Sequence, residues 1–194
     1  MPEYTPEQLV DVFSEAARTR FRDALLNGSK RLALFAEAEG RKNATERLRV
    51  RSGNLRRSIT GSVAAQSDGA SVELTAGGRT GGKDVPYAAT QEFGATITPV
   101  RRQWLALPAQ DVQTGAGVSR YASPRDYPTP LVFVLINARR AILLDPADGR
   151  TKWSLRKEVT IKPKWYIRDA MTTTASQVPD VMSSALSVSV EVGT

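Results

Sequence analysis

The sequence predicts an α+β fold: an antiparallel β-sheet with N-terminal helices and a short central helix packed on it, plus an inserted β-hairpin or meander. Three observations carry this. Apolar residues recur at helical spacing through the first forty positions. Two β-branched runs flank Ser67-Asp68-Gly69, a hairpin turn signal. A short helical pattern, Val85-Pro-Tyr-Ala-Ala-Thr-Gln-Glu-Phe-Gly-Ala-Thr-Ile97, stops on Gly94 and runs into an extended stretch. One domain over residues 1–194 accommodates them, with N-terminal helices in 1–40, an inserted loop and hairpin in 109–160 and a tail in 183–194.

The first helix begins at Thr5-Pro-Glu-Gln, where Thr5 is a natural N-cap, Pro6 suits the first helical position and Gln8 completes a capping box. Leu9, Val12, Phe13, Ala16, Ala17, Phe21, Ala24 and Leu25 form one stripe, and Asn27-Gly28 ends it. A second helix, Ser29 to about Glu39, carries Leu32, Leu34, Phe35 and Ala36 and ends at Gly40. Residues 41–57 are the most basic segment. Within it, Gly53 permits a turn, and Leu55 and Ile59, four apart, share a helical face. Strands are expected over Thr60–Gln66 and Ala70–Ala76. In the central pattern, Tyr87, Ala88, Gln91 and Glu92 share one side of a helix too short to be stable alone.

Beyond it, Trp104, Leu105 and Leu107 sit on a short extended segment ending at Pro108. Residues 109–130 lack periodicity and read as a long loop, of the kind that contacts partners. Leu131–Ile136 reads as a buried strand, Ala141–Leu144 as another, and Trp153–Ile161 as a third. Pro163 fixes a corner. A last helix starts near Tyr166 and is expected to break at Val178-Pro179, and the Ser/Val-alternating tail from Ser183 reads as a weak edge strand.

Composition narrows the chemistry. There is no histidine and no cysteine, which removes the commonest general base, thiolate nucleophiles and the usual zinc ligands. Carboxylates show no metal-ligand spacing, so no catalytic residue, no cofactor and no metal is expected. Gly77-Gly-Arg-Thr-Gly-Gly-Lys83 matches a phosphate loop up to the lysine, but Asp84 stands where magnesium needs Ser or Thr. Ala141–Asp145 imitates a second nucleotide motif, but Pro146 and a turn follow it. No apolar run reaches membrane-spanning length, and Met1-Pro-Glu-Tyr-Thr5 lacks the features of a signal peptide. A net charge of +7 suits DNA, RNA or an acidic protein. The candidate contacts are Arg49, Arg51, Arg56, Arg57, Arg79 and Lys83. Against a nucleic-acid reading of 41–57 stands the lack of interleaved aromatics for base stacking.

The order of Arg51-Ser-Gly-Asn-Leu-Arg-Arg-Ser-Ile59, a strand hairpin, Pro86-Tyr-Ala-Ala-Thr-Gln-Glu-Phe-Gly94 and Val159-Thr-Ile-Lys-Pro-Lys-Trp-Tyr-Ile167 resembles the bacteriophage tail-completion or head–tail joining (neck) family, related to the virion morphogenesis proteins of Mu-like phages. The residues carrying the resemblance are Gly53, Leu55, Ser58, Tyr87, Glu92, Phe93, Gly94, Pro163 and Trp165, over roughly residues 5–172. The chain departs from that pattern at Lys162, where the family more often has arginine, and in its Ser/Val tail. The resemblance implies a non-enzymatic virion part: a homo-oligomeric, sixfold ring at the head-proximal end of the tail. Its neighbours would be the tail terminator or tail tube protein on one side and head–tail connector proteins on the other. DNA would pass through it, and it would assemble in the host cytoplasm. The alternatives are a tail terminator or a basic nucleic-acid-binding protein using Arg41–Arg57.

Overall fold

A computed structural model of the chain describes residues 6–48, 53–67, 69–80 and 83–191. The helices are α1 (Pro6–Arg47), α2 (Asn54–Arg57), α3 (Ala88–Phe93) and α4 (Tyr166–Glu191). The strands are β1 (Thr60–Ala65), β2 (Ala70–Thr75), β3 (Arg79–Thr80), β4 (Lys83–Asp84), β5 (Ala95–Ile97), β6 (Leu105–Pro108), β7 (Val132–Asn137), β8 (Arg140–Leu144), β9 (Thr151–Arg156) and β10 (Val159–Ile161). The fold is α+β, and every strand pair is antiparallel. The described residues fall into two compact units. The first takes in those of Met1–Leu48, Asn54–Ala88 and Trp165–Thr194; the second, those of Arg49–Gly53 and Ala89–Lys164.

In the first unit the two expected N-terminal helices are one: α1 runs unbroken through Gly28 and Gly40 to Arg47. Both glycines are packing positions, not caps. A Cβ on Gly28 would lie 2.7 Å from the Met182 sulfur and 3.3 Å from the Ala185 Cβ, so its absence lets α4 approach. A Cβ on Gly40 would lie 3.1 Å from Ile59 Cγ2. Each glycine costs a helix about 1 kcal/mol relative to alanine, and close packing offsets that here. The stripe also differs from expectation: Ala24, Leu32 and Ala36 are buried, whereas Ala16, Ala17, Phe21 and Leu34 face solvent. Leu9, Val12 and Phe13 lie where only the backbone is described.

Helix α4 lies antiparallel to α1, pairing Asn43 with Tyr166 at one end and Gly28 with Met182 at the other. Among the described residues neither the expected break at Val178-Pro179 nor a strand-like tail is present; α4 contains Pro179 and continues to Glu191, and residues 192–194 fall outside the described residues. Pro179 is exposed, where its missing N–H leaves a carbonyl open to water. The hydroxyls of Thr172, Thr173 and Thr174 each donate to the carbonyl four residues back, which fits these β-branched residues to a helix. Alternation is a weak local preference, and packing on α1 overrides it.

Strands β1 and β2 form the expected hairpin, in register from Thr60↔Thr75 to Ala65↔Ala70. It crosses α1 so closely that a Cβ on Gly61 would land on the Ala33 carbonyl, and the Gly61 N–H donates to Glu37 at 2.9 Å. Ala44, Leu55, Ile59, Val85, Ala88 and Tyr166 form the core, with Leu74 and Ile167 packed against it.

The second unit holds a four-stranded sheet ordered β6-β9-β8-β7 and a separate pair, β5 with β10. The single strand expected over Trp153–Ile161 is therefore two strands, in different sheets. The long loop contains two 3-10 turns, Gln110–Val112 and Pro124–Asp126, the second closed by a Ser123–Asp126 capping box. Register places Ala106, Leu155, Ala141 and Leu135 on one face of the sheet, with Trp153, Leu143 and Phe133 beside them. Tyr121, Tyr127 and Trp153 interlock on that face at ring separations of 5.2–6.1 Å. The expectation of a buried strand at 131–136 fails: β7 is the sheet's edge, and all its side chains are exposed.

Gly61→Ala should destabilise the protein by about 1–3 kcal/mol, since the methyl group meets backbone. Gly69→Ala should stay within about 0.5 kcal/mol, because no atom lies within 4 Å of its added Cβ. Urea unfolding of the two variants measures both.

Candidate functional site

The residues that carry the family resemblance hold two local arrangements. In the first unit, Leu55 sinks into the core from α2 and Ser58 is buried one turn on. The Ser58 hydroxyl donates to the Leu55 carbonyl at 2.7 Å and accepts from the Gly77 N–H at 3.0 Å. Only a small hydroxyl residue one helical turn after a core leucine makes both bonds. Gly53, at φ +69°, supplies the left-handed turn before α2.

In the second unit, Gly94 ends α3 at φ +73°, and a Cβ there would come within 2.7 Å of the Ile161 carbonyl and 2.9 Å of Pro163. The Lys164 N–H then donates to the Gln91 and Glu92 carbonyls at 3.0 and 3.2 Å, capping α3 from the proline corner. The Gly94 motif and the Pro163 corner, 69 residues apart in sequence, are thus one structural feature. Glu92 is buried on α3, whereas Tyr87 (40%) and Phe93 (65%) are exposed.

Trp165 adopts a left-handed backbone, φ +51°, a conformation that costs a non-glycine residue about 1–2 kcal/mol. Its carbonyl accepts from the Asp169 N–H at 3.1 Å and from Arg47 at 3.2 Å, and Arg168 stacks on its ring at 4.2 Å. Arg47 also binds Asp169 at 2.6 Å. Arg47, followed by Arg168, holds the Asp169 carboxyl below the ordinary aspartate range.

The candidate cationic contacts separate into different settings. Arg56 and Arg57 are exposed on α2, where Arg57 donates to Asn54 at 2.6 Å. Arg79 is exposed on β3, and Lys83 lies on β4, of which the backbone is described. Arg49 and Arg51 fall outside the described residues. Two other members of the basic segment are engaged internally: Arg41 with Glu37 and the Ile59 carbonyl, and Arg47 with Asp169. Of the Gly77–Asp84 stretch, Arg79–Thr80 and Lys83–Asp84 pair as β3 and β4, whereas a phosphate loop leads into a helix; Gly81 and Gly82 fall outside the described residues.

A polar cluster unforeseen from sequence sits in the second unit. The register of β8 on β9 shifts between Leu143↔Trp153 and Leu144↔Thr151, leaving Lys152 as a bulged residue. The bulge lets Lys152 and Trp153 both be buried. The Lys152 ammonium is bound at 2.6 Å by Asp111 from the long loop and at 2.6 Å by Asp148 from the β8–β9 turn. These bonds raise the Lys152 pKa above that of a free lysine. The Asp148 pKa is lowered, first by Lys152 and then by the Arg150 N–H. Asp145, also buried, accepts from the Tyr127 hydroxyl at 3.0 Å and from the Ala147 N–H at 3.0 Å. Burial, then this bond to Asp145, raises the Tyr127 pKa. The cluster binds loop, turn and sheet together, and its polar groups are occupied by one another. No sequence signal marked Lys152, because the bulge is set by pairing.

Beside the cluster, on the same sheet face, lies a cavity of about 620 Å³. Ala106, Leu143 and Leu155 line its floor, Trp104 and Tyr127 its sides, and Arg102 and Arg125 its polar rim. Phe133 of β7 lies 6.3 Å from Trp104. Next to it, Val132, Phe133, Val134, Leu135 and Ile136 are 39–60% exposed in an unbroken apolar run. Among the described residues no group of three or more Asp or Glu is placed to hold a metal ion, and no helix is long and apolar enough to cross a membrane.

Compared with known proteins, the chain matches no family model, no curated protein and no solved structure.

Ser58→Ala should cost about 1–3 kcal/mol in chemical denaturation, by leaving the Gly77 N–H without its acceptor. Lys152→Met should destabilise the protein measurably at neutral pH. The Asp148 pKa is depressed on folding, so its stabilisation exists above pH 3.8 and is lost as pH falls through the folded value. The raised Lys152 pKa contributes fully below pH 10.5. The stability gap between wild type and Lys152→Met should therefore be widest between those limits and close in acid, which denaturant titrations across pH would read.

Proposed function

We propose that this chain is a non-enzymatic structural protein of a tailed-bacteriophage virion, a subunit of a ring at the head-proximal end of the tail that acts in tail completion or head–tail joining. The observation that carries the reading is β7, an open strand edge with five consecutive apolar side chains in solvent. Such an edge is an association surface unless a partner covers it. Ring subunits need this kind of exposed contact, and they need two different faces because a ring is heterologous. The ordered motifs support the same reading, since Ser58, Gly94 and Pro163 each make a structural contact that accounts for their residue type. The exposed Tyr87 offers a further partner contact, and Arg56 and Arg79 suit passing DNA or an acidic neighbouring ring.

The second reading, nucleic-acid binding through Arg41–Arg57, is weakened by the internal bonds of Arg41 and Arg47. Tail termination stays inside the structural reading as its neighbouring role.

The test is negative-stain imaging of lysates from a phage lacking this gene. Full heads beside complete, unattached tails are expected. Tails of uncontrolled length would move the role to termination. Normal joined particles would overturn the proposal and return attention to DNA affinity and its salt dependence.

A further inference from the structure

The two edges of the four-stranded sheet have a property that follows from its topology. The order β6-β9-β8-β7 is antiparallel at each step, so β6 and β7 run in opposite directions. A second copy placed head to tail repeats the same order, and its β6 then meets the first copy's β7 antiparallel. An even number of alternating strands gives this result; an odd number would make the seam parallel. Composition matches on both sides: β7 reads Val-Phe-Val-Leu-Ile-Asn and β6 reads Leu-Ala-Leu-Pro, apolar on both faces. Pro108 closes β6 and has no N–H to donate, so at that row the seam has only the Pro108 carbonyl, and its donors on β6 come from the residues before it.

We infer that β7 of one copy pairs with β6 of a second copy, joining their sheets head to tail. The occupant is a second copy because this chain carries both halves of the match, in compatible directions, on one sheet. Two-fold pairing of β7 with β7 is also antiparallel, but it stops at two copies and leaves both β6 edges open. Head-to-tail pairing covers β6 and β7 together and leaves a free edge at each end for the next copy, as a ring requires. Closure into a ring rests on the virion reading; the seam itself does not.

Charge supplies an independent signature. At the Leu105 end of the seam, Arg101 and Arg102 of one copy would lie towards Arg140 and Arg139 of the other, because Leu105 shares a register row with Arg140 and Asn137; Glu158, 3.6 Å from Arg139, offsets one of these charges and leaves the balance positive. These like charges repel, so salt should strengthen the pairing. Nucleic acid or an acidic protein on this surface would show the opposite dependence.

The chain has no cysteine, which makes cross-linking specific. Leu107→Cys and Val134→Cys place one thiol on each edge, on the same face of the sheet. Within one copy the edges stand three strand spacings apart, about 14 Å, so a disulfide cannot bridge them internally. The purified double variant is oxidised, and in parallel treated with a short bismaleimide to tolerate a shift in register. Circular dichroism checks the fold of each variant, and the conservative Val134→Ala is carried through as a thiol-free control. A ladder of dimer, trimer and higher species from the double variant alone, rising with protein concentration and with salt, is expected. Dimers from Val134→Cys by itself, with no higher species, would overturn head-to-tail pairing in favour of the two-fold arrangement. No cross-linked species at any concentration in folded protein would overturn the seam. A ladder with a normal phage phenotype on gene deletion would leave the seam standing and remove the virion role.

Discussion

The first unit depends on what Tyr166 does at the start of α4. Its side chain is fully buried, its hydroxyl donates to the Ala88 carbonyl at 3.1 Å, and its own carbonyl accepts from Asn43 at 3.2 Å. One residue thereby fixes α1, α4 and the first residue of α3 against a shared apolar core. Buried polar groups are costly unless paired, so each of these bonds specifies geometry as well as contributing energy. The strained backbone of the preceding Trp165 is consistent with that arrangement. Its carbonyl is held by Arg47 and the Asp169 N–H while the chain turns from the proline corner into the helix.

In the second unit the same role falls to Lys152. A lysine is seldom buried unless paired, and here two aspartates from separate segments surround it. The bulge that turns it inward also places Trp153 under Tyr121 and Tyr127, so the long loop is fastened by a charged clamp and an aromatic one side by side. A loop of that length would otherwise be poorly held. With the loop fastened over one face of the sheet, the edge strand β7 holds its exposed apolar run, Val132 to Ile136, on a defined surface.

The candidate surfaces were partly legible in the sequence. The motif Ser58, Gly94 and Pro163 stood out by residue type, and each proved to answer a specific contact. The apolar run at 131–136 was visible as a strand, but its exposure was not, because periodicity cannot distinguish a strand buried on both faces from one uncovered on both. The basic segment was visible as charge. That Arg41 and Arg47 spend their charge inside the fold depends on Glu37 and Asp169, the second of which is more than a hundred positions away.

By itself the sequence determined the local features: the strands of the β1–β2 hairpin, the short α3 with its glycine stop, the antiparallel strands of the insertion and the α+β class. These follow from turn chemistry and from side-chain periods set within a few residues. Tertiary structure decided whether Gly28 and Gly40 end a helix, whether α4 survives Pro179 and a Ser/Val tail, and which way Lys152 points. Each of these is a contest between a local preference, about 1 kcal/mol for a helical glycine and about 3 kcal/mol for a helical proline, and packing against residues distant in sequence. Where a second helix or strand lies close enough to exclude a side chain, packing wins, and no window of neighbouring residues contains that information.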